Sequence, residues 1–134
     1  MLDLASQSNS KPVTLKDISV RQNISEKYLW QVIAPLKTAG IIHSTPGSRG
    51  GYSLAQPSES ITLKNILDSL EGRRPLVPCL VPAKKCERNS YCAARDIWHE
   101  VDLKLNAVLN SITLKDMVAK QELKNRAQTV NYAI

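Results

Sequence analysis

Phenylalanine is absent from this chain, and aromatic residues together make up only 4% of it. A core without phenylalanine has to be aliphatic, and a hydrophobic content of 43% is enough to build one, which argues against disorder. No apolar run approaches the roughly 20 residues needed to span a bilayer. No charged segment followed by an apolar one reads as a secretion signal either, so the expected compartment is the cytosol. Histidines number two: His43 is far in sequence from the cysteines, and His99 stands seven residues after Cys92. With no positioned base and no oxyanion-hole pattern, the chain is not expected to be an enzyme. Acidic residues are also in short supply: 12 stand against 18 basic ones, giving a net charge of +6. A basic balance in a small protein attracts polyanions, so nucleic acid is the first partner to test, with a merely solvated basic surface as the plainer reading.

The 134 residues fit one compact domain, or a small domain with a helical extension. Met1 to Ser8 read as the last turns of a helix, with the expectation that related chains start earlier. Lys11 to Val13 is a connector. The pentapeptide Thr14-Leu15-Lys16-Asp17-Ile18 returns as Thr62-Leu63-Lys64-Asn65-Ile66 and Thr113-Leu114-Lys115-Asp116-Met117. The flanking residues do not match, so these are better read as three helix starts than as a repeat, each with threonine at the N-cap. A first helix is expected over about Leu15 to Gln22, then a turn at Asn23-Ile24, then a second helix capped by Ser25 and running to about Ala39. Gly40 ends it in a left-handed conformation. Leu29, Val32, Ile33 and Leu36 share one face of the second helix.

After Gly40 the period becomes two. Ile41 to Ser44 and Gly51 to Leu54 read as paired strands around a turn over Thr45 to Gly50. A hairpin directly after a helix-turn-helix is a wing. A further helix over about Leu63 to Leu70 carries Ile66, Leu67 and Leu70 as its core face, and Glu71-Gly72 ends it. From about Ala93 a long helix places Ala94, Ile97, Trp98, Val101, Leu105, Val108, Leu109 and Ile112 in a continuous apolar stripe. A homodimer seam over about Ala93 to Ser111 is the expected cover, with burial inside the chain as the alternative. A last helix starts at Thr113, and Gln121 to Ile134 is expected to be loose until its last few residues. The fold class is thus mainly α with a small β-hairpin: a winged helix-turn-helix over residues 1–72, a cysteine loop over 73–92, and a dimerisation helix with a C-terminal helix or tail over 93–134.

A helix-turn-helix reads base edges with the first residues of its second helix. Here these are Ser25, Lys27, Tyr28, Trp30 and Gln31: Gln31 suits a base edge, and Ser25 or Lys27 a phosphate. Trp30 also suits packing against the core or wing. Ser48 and Arg49 lie at the wing tip, where an arginine can enter the minor groove or simply sit in a solvated turn.

All the cysteines fall in one loop, Cys79, Cys86 and Cys92, spaced C-x6-C-x5-C. Their odd count leaves at least one thiol without a partner in the chain, and a cytosolic cysteine cluster points to metal or redox chemistry. The spacings are too loose for a zinc knuckle. An iron–sulfur cluster tolerates them. A thiol switch is the competing reading, because Lys84, Lys85 and Arg88 around Cys86 favour the thiolate. His99, two turns along the long helix, reads as an exposed histidine rather than a ligand, and His43 as a surface or groove-facing residue.

Ser25 to Gly40, the wing with Gly50-Gly51-Tyr52, Ile61-Thr62-Leu63, Leu70-Glu71-Gly72, the cysteine loop and Ser111-Ile112-Thr113-Leu114 together resemble the Rrf2 family of bacterial transcription regulators. Within it they look most like the iron–sulfur-dependent IscR-like branch. The resemblance implies a dimeric winged-helix repressor on double-stranded DNA. It also implies that Cys79, Cys86 and Cys92 hold an iron–sulfur cluster, [2Fe–2S] favoured over [4Fe–4S]. Cluster state would set operator choice, at iron–sulfur assembly or cysteine-metabolism genes. Cluster-free control by thiol redox or a partner protein is the alternative, and a protein-interaction adaptor that has lost DNA binding is a remote one. The chain departs from the pattern at Arg95, where many IscR-like proteins place a histidine ligand, and at Trp30 and Pro46, where glutamate and arginine are common. Other members take an acidic ligand from an N-terminal helix, inside which Met1 aligns.

Overall fold

The computed structural model describes residues 1–7, 11–82 and 84–133. Ser8, Ala83 of the cysteine loop and Ile134 of the tail fall outside the described residues. The described residues form six α-helices and one antiparallel hairpin: α1 Leu2–Ser6, α2 Leu15–Gln22, α3 Glu26–Thr38, β1 Ile42–Thr45, β2 Gly51–Leu54, α4 Leu63–Glu71, α5 Ala93–Ser111 and α6 Leu114–Tyr132.

The three threonines are helix starts. Thr14, Thr62 and Thr113 each accept a backbone N–H from the residue three positions on, namely Asp17, Asn65 and Asp116. At Thr62 and Thr113 the side chain of Asn65 or Asp116 also accepts the threonine's own N–H, closing a capping box. Asn23, at φ 52°, closes α2 in the left-handed region, and the Ser25 hydroxyl caps α3 by accepting the Tyr28 N–H at 3.2 Å. Gly40 takes φ 71° after α3, as expected of a glycine that stops a helix.

One aliphatic core holds the amino-terminal half together. Leu29, Ile33 and Leu36 of α3 meet Leu15 and Ile18 of α2, Ile41, Ile42, Ile61, Ile66 of α4 and Leu4 of α1. Leu114, the first residue of α6, is fully buried in the same cluster. Its position is fixed by a short antiparallel bridge: the Leu63 N–H donates to the Ile112 carbonyl and the Leu114 N–H to the Ile61 carbonyl, both at 2.8 Å. The α5–α6 junction is thereby stapled to the start of α4.

Four expectations need correction. The first strand begins at Ile42 rather than Ile41, which instead accepts a bond from the Ala55 N–H at its carbonyl. Val13 is no mere connector, since it exchanges two backbone hydrogen bonds with Tyr52, at 2.8 and 2.9 Å, and adds a one-residue bridge to the free edge of β2. Leu70 lies in the last turn of α4, past the end of the core cluster, and is 40% exposed. Residues 121–132 continue α6 as regular helix, because the capping box at Thr113 starts a helix that meets no proline or glycine before Tyr132.

Candidate nucleic-acid interface and cysteine loop

In α3 the buried residues Leu29, Ile33 and Leu36 leave the opposite side free. Lys27 and Gln31, one turn apart, are both exposed on that outer side, with Ala34 and Thr38 continuing the row. Tyr28, 56% exposed, flanks it on one edge and Trp30 on the other. Trp30 leans on the wing, its ring edge-to-face with Tyr52 at 6.5 Å between centroids and 88° between planes, yet 58% of it stays exposed. The wing-packing reading of Trp30 is thus met by its contact with Tyr52. Ser25, capping the helix, sits at its start, and Ser48 and Arg49 are exposed at the tip of the hairpin.

Two glycines let the wing fold this way. A Cβ on Gly50 would stand 2.0 Å from the Thr45 carbonyl oxygen, inside the hairpin turn. Gly51, at φ +153°, passes so close to Val13 that a Cβ would come within 2.6 Å of its carbonyl oxygen. The hairpin register then pairs Ile42 with Leu54, His43 with Ser53, Ser44 with Tyr52 and Thr45 with Gly51. His43 is exposed on β1. At the opposite edge of the helix pair, Arg21 of α2 donates from Nε and Nη2 to the two oxygens of Asp3, at 2.9 and 2.7 Å, and Gln22 adds a third bond at 3.0 Å. These contacts anchor α1 and hold the Asp3 carboxyl below the usual carboxylate range, chiefly through the bond from Arg21.

The cysteine loop is a chain of isolated turns rather than a lattice. Cys79 sits in a single 3-10 turn, Pro78–Leu80, that packs on α5. The Cys86 carbonyl accepts the Asn89 N–H at 3.1 Å, and Cys92 is the N-cap of α5 without a side-chain capping bond. The thiols are free, Cys86 exposed and Cys79 and Cys92 half-buried. Among the described residues no three of His, Cys, Asp and Glu are gathered in a metal-holding arrangement. The loop carries three soft donors in one segment without gathering them. The donor set suits an iron–sulfur cluster, and two buried polar atoms without partners, Asn89 Oδ1 and Arg95 Nε, lie in the loop and in the first turn after it. His99 is exposed on α5.

α5 itself has no buried residue. Its stripe is exposed, with Ile97 63%, Trp98 46%, Val101 42%, Leu105 40% and Val108 55% accessible. The side turned to the rest of the chain is polar: Asp102 accepts the Leu76 N–H at 3.0 Å, and Asn106 donates to the Asp102 carboxylate and carbonyl. Within the protomer only Leu109 and Ile112 of the stripe are half-buried, and the rest of it stays exposed. Among the described residues, no helix is long and apolar enough to cross a membrane.

A helix-turn-helix with an exposed reading face, followed by a two-stranded wing, defines a winged-helix DNA-binding protein. The Rrf2 family profile, described as an iron-dependent transcriptional regulator, matches residues 1–120. The chain belongs to the Rrf2 family and is a DNA-binding transcription regulator. It is 38% identical over 123 residues to the protein rrf2 of Nitratidesulfovibrio vulgaris, covering 92% of this chain and 82% of that one. Among solved structures it is similar to CymR, the global cysteine regulator of B. subtilis, with TM-score 0.75 and 33% identity over 89% of this chain and 87% of the other. It is also similar to T. potens IscR, with TM-score 0.73 and 36% identity over 90% and 78%.

Proposed function

We propose that this chain is a cytoplasmic homodimeric repressor whose affinity for its operator depends on an iron–sulfur cluster, [2Fe–2S] rather than [4Fe–4S], held by Cys79, Cys86 and Cys92. The observation that carries the reading is the placement of all three unpaired thiols in the one loop that ends at the N-cap of α5. Residues 1–72 then read DNA, 73–92 sense, and 93–134 pair the protomers through α5. Lys27 and Gln31 face the major groove, with Ser25, Tyr28 and Trp30 along its walls and Ser48 and Arg49 on the backbone or minor groove. No catalytic activity is assigned.

When bound, the cluster supplies a charge and a loop geometry that change with iron supply and redox state. The chain's own part is to hold the loop and transmit its arrangement. Cys92 caps α5, the far end of α5 enters the bridge between Ile112–Leu114 and Ile61–Leu63, and Leu114 and Ile61 are core neighbours of α3. Closing the loop on α5 thus acts on the helix that presents Lys27 and Gln31.

Anaerobic reconstitution followed by visible absorption and iron and sulfide analysis tests the reading. Cys92→Ala should lose most of the uptake, and a variant that loads normally would remove Cys92 from the ligand set. On duplex DNA, Lys27→Ala and Arg49→Ala should each lower the salt dependence of binding by about one unit in slope.

A second reading is favoured by the separated thiols and by the likeness to CymR, a cysteine regulator. Here an exposed Cys86 between Lys84, Lys85 and Arg88 is oxidised, or a partner protein binds, and no cluster forms. It predicts no cluster uptake under anaerobic conditions together with oxidant-sensitive DNA binding.

A further inference from the structure

Arg95 is in an unusual position for a cation. It occupies the third residue of α5, where the helix dipole disfavours positive charge, and its Nε is buried without a hydrogen-bond partner. The ion pairs among the described residues, Arg21–Asp3, Lys64–Asp68, Arg73–Asp68 and Lys104–Glu100, leave it out. A buried N–H on a charged group with no acceptor is costly, so the site asks for an anion.

The surroundings say which one. Arg95 lies three residues after Cys92, one turn along and on the same side of α5. The turn that carries Cys79 packs on the same helix. Thiolates and bridging sulfides are anionic acceptors. A guanidinium has only donors and no free lone pair at neutral pH, so it cannot ligate iron.

The geometry points to Arg95 as a positioning residue that donates its Nε–H to a sulfur of the cluster held by Cys79, Cys86 and Cys92. This rests on the cluster reading above. Reduction adds negative charge to the cluster, and a hydrogen bond and positive charge at sulfur favour the reduced form, so Arg95 raises the midpoint potential.

The test compares the full chain with Arg95→Met, which keeps length but loses charge and donors, and with Arg95→Lys, which keeps the charge and replaces the fork. Each is reconstituted anaerobically, assayed for iron and sulfide per chain, checked for helix content, and titrated with dithionite through redox mediators. All three should load equally. The Met variant should show at least a tenfold shift of its reduction equilibrium, about 59 mV for a one-electron couple, towards lower potential, with Lys in between. An unchanged midpoint and visible spectrum in the Met variant would overturn the inference. So would a loss of iron in that variant as complete as in Cys92→Ala. Should the Met variant fail to fold, an unshifted midpoint in Arg95→Lys overturns it equally. A wild-type chain that takes up no iron and sulfide sinks the cluster reading itself, and the role of Arg95 with it.

Discussion

Replacing Leu105 by glutamate addresses the proposed dimer directly. In the protomer Ile97, Trp98, Val101, Leu105 and Val108 are between 40% and 63% exposed on one face of α5. Full burial of a large aliphatic side chain contributes roughly 1.5–3 kcal/mol, so covering the exposed half of each contributes about 1 kcal/mol. Across both copies of a two-fold interface the stripe is then worth on the order of 10 kcal/mol. Association costs about 4–15 kcal/mol before any net affinity appears. The margin is narrow, and it does not survive two buried carboxylates, each costing several kcal/mol when unpaired. Leu105→Glu should therefore convert a dimer at micromolar concentration into a monomer by sedimentation velocity. Its helix content should hold, because Leu105 is not part of the buried core of the protomer. Leu103, 58% exposed but half a turn round α5, supplies the control: Leu103→Glu should remain dimeric. A Leu105→Glu protein that still sediments as a dimer, or equal dissociation of the two variants, would refute the reasoning.

Gly51→Ala puts a Cβ 2.6 Å from the Val13 carbonyl oxygen, so it should cost on the order of 1–3 kcal/mol and lower the melting temperature; an unchanged melt would show that the Val13–Tyr52 rung is dispensable. Leu114→Ala empties a fully buried site and should cost about 2–5 kcal/mol, read as a lower urea midpoint at constant slope; a negligible shift would take the start of α6 out of the core. The Asp3 carboxyl is held below its ordinary value of 3.8 in the folded chain, so its contribution is complete above that pH and is lost as pH falls through the lower folded value. Thermal melts from pH 5 down to pH 2 should therefore fall more steeply for wild type than for Asp3→Asn, and parallel curves would contradict the pairing with Arg21.

Much of the fold could be read from local signals, because those signals are self-contained. A threonine followed three residues later by Asp or Asn caps a helix through its own backbone, whatever packs on it, and all three such sites are helix starts. Gly50 and Gly51 mark the wing because neither tolerates a Cβ. The interactions that were not legible are those between distant segments. Val13 gives no sign that Tyr52 will be its partner, and Thr62 and Thr113 do not announce that their flanking backbones will bond to each other. The same holds in the cysteine loop, where the three candidate ligands are plain in the sequence but their separation, and the unsatisfied nitrogen of Arg95, depend on how the loop lies on α5.

The direction of the α5 stripe is the sharpest case. A helical period of apolar residues ordinarily predicts the face that a chain turns to its own core. In α5 the relation is largely inverted: Asp102 and Asn106 are turned inward with Leu109 and tied to the Leu76 backbone and to each other, while Ile97, Trp98, Val101, Leu105 and Val108 face out. Periodicity shows that a helix has two faces, but not which one its own chain will cover. Here the polar side is fixed by a specific acceptor, since the Asp102 carboxylate receives a main-chain N–H from the segment that follows α4. Rotating α5 to bury Val101 and Leu105 within the protomer would break that bond and leave the Leu76 N–H and the Asp102 carboxylate to find other partners. A second copy can cover the row without breaking it, as the proposed dimer requires.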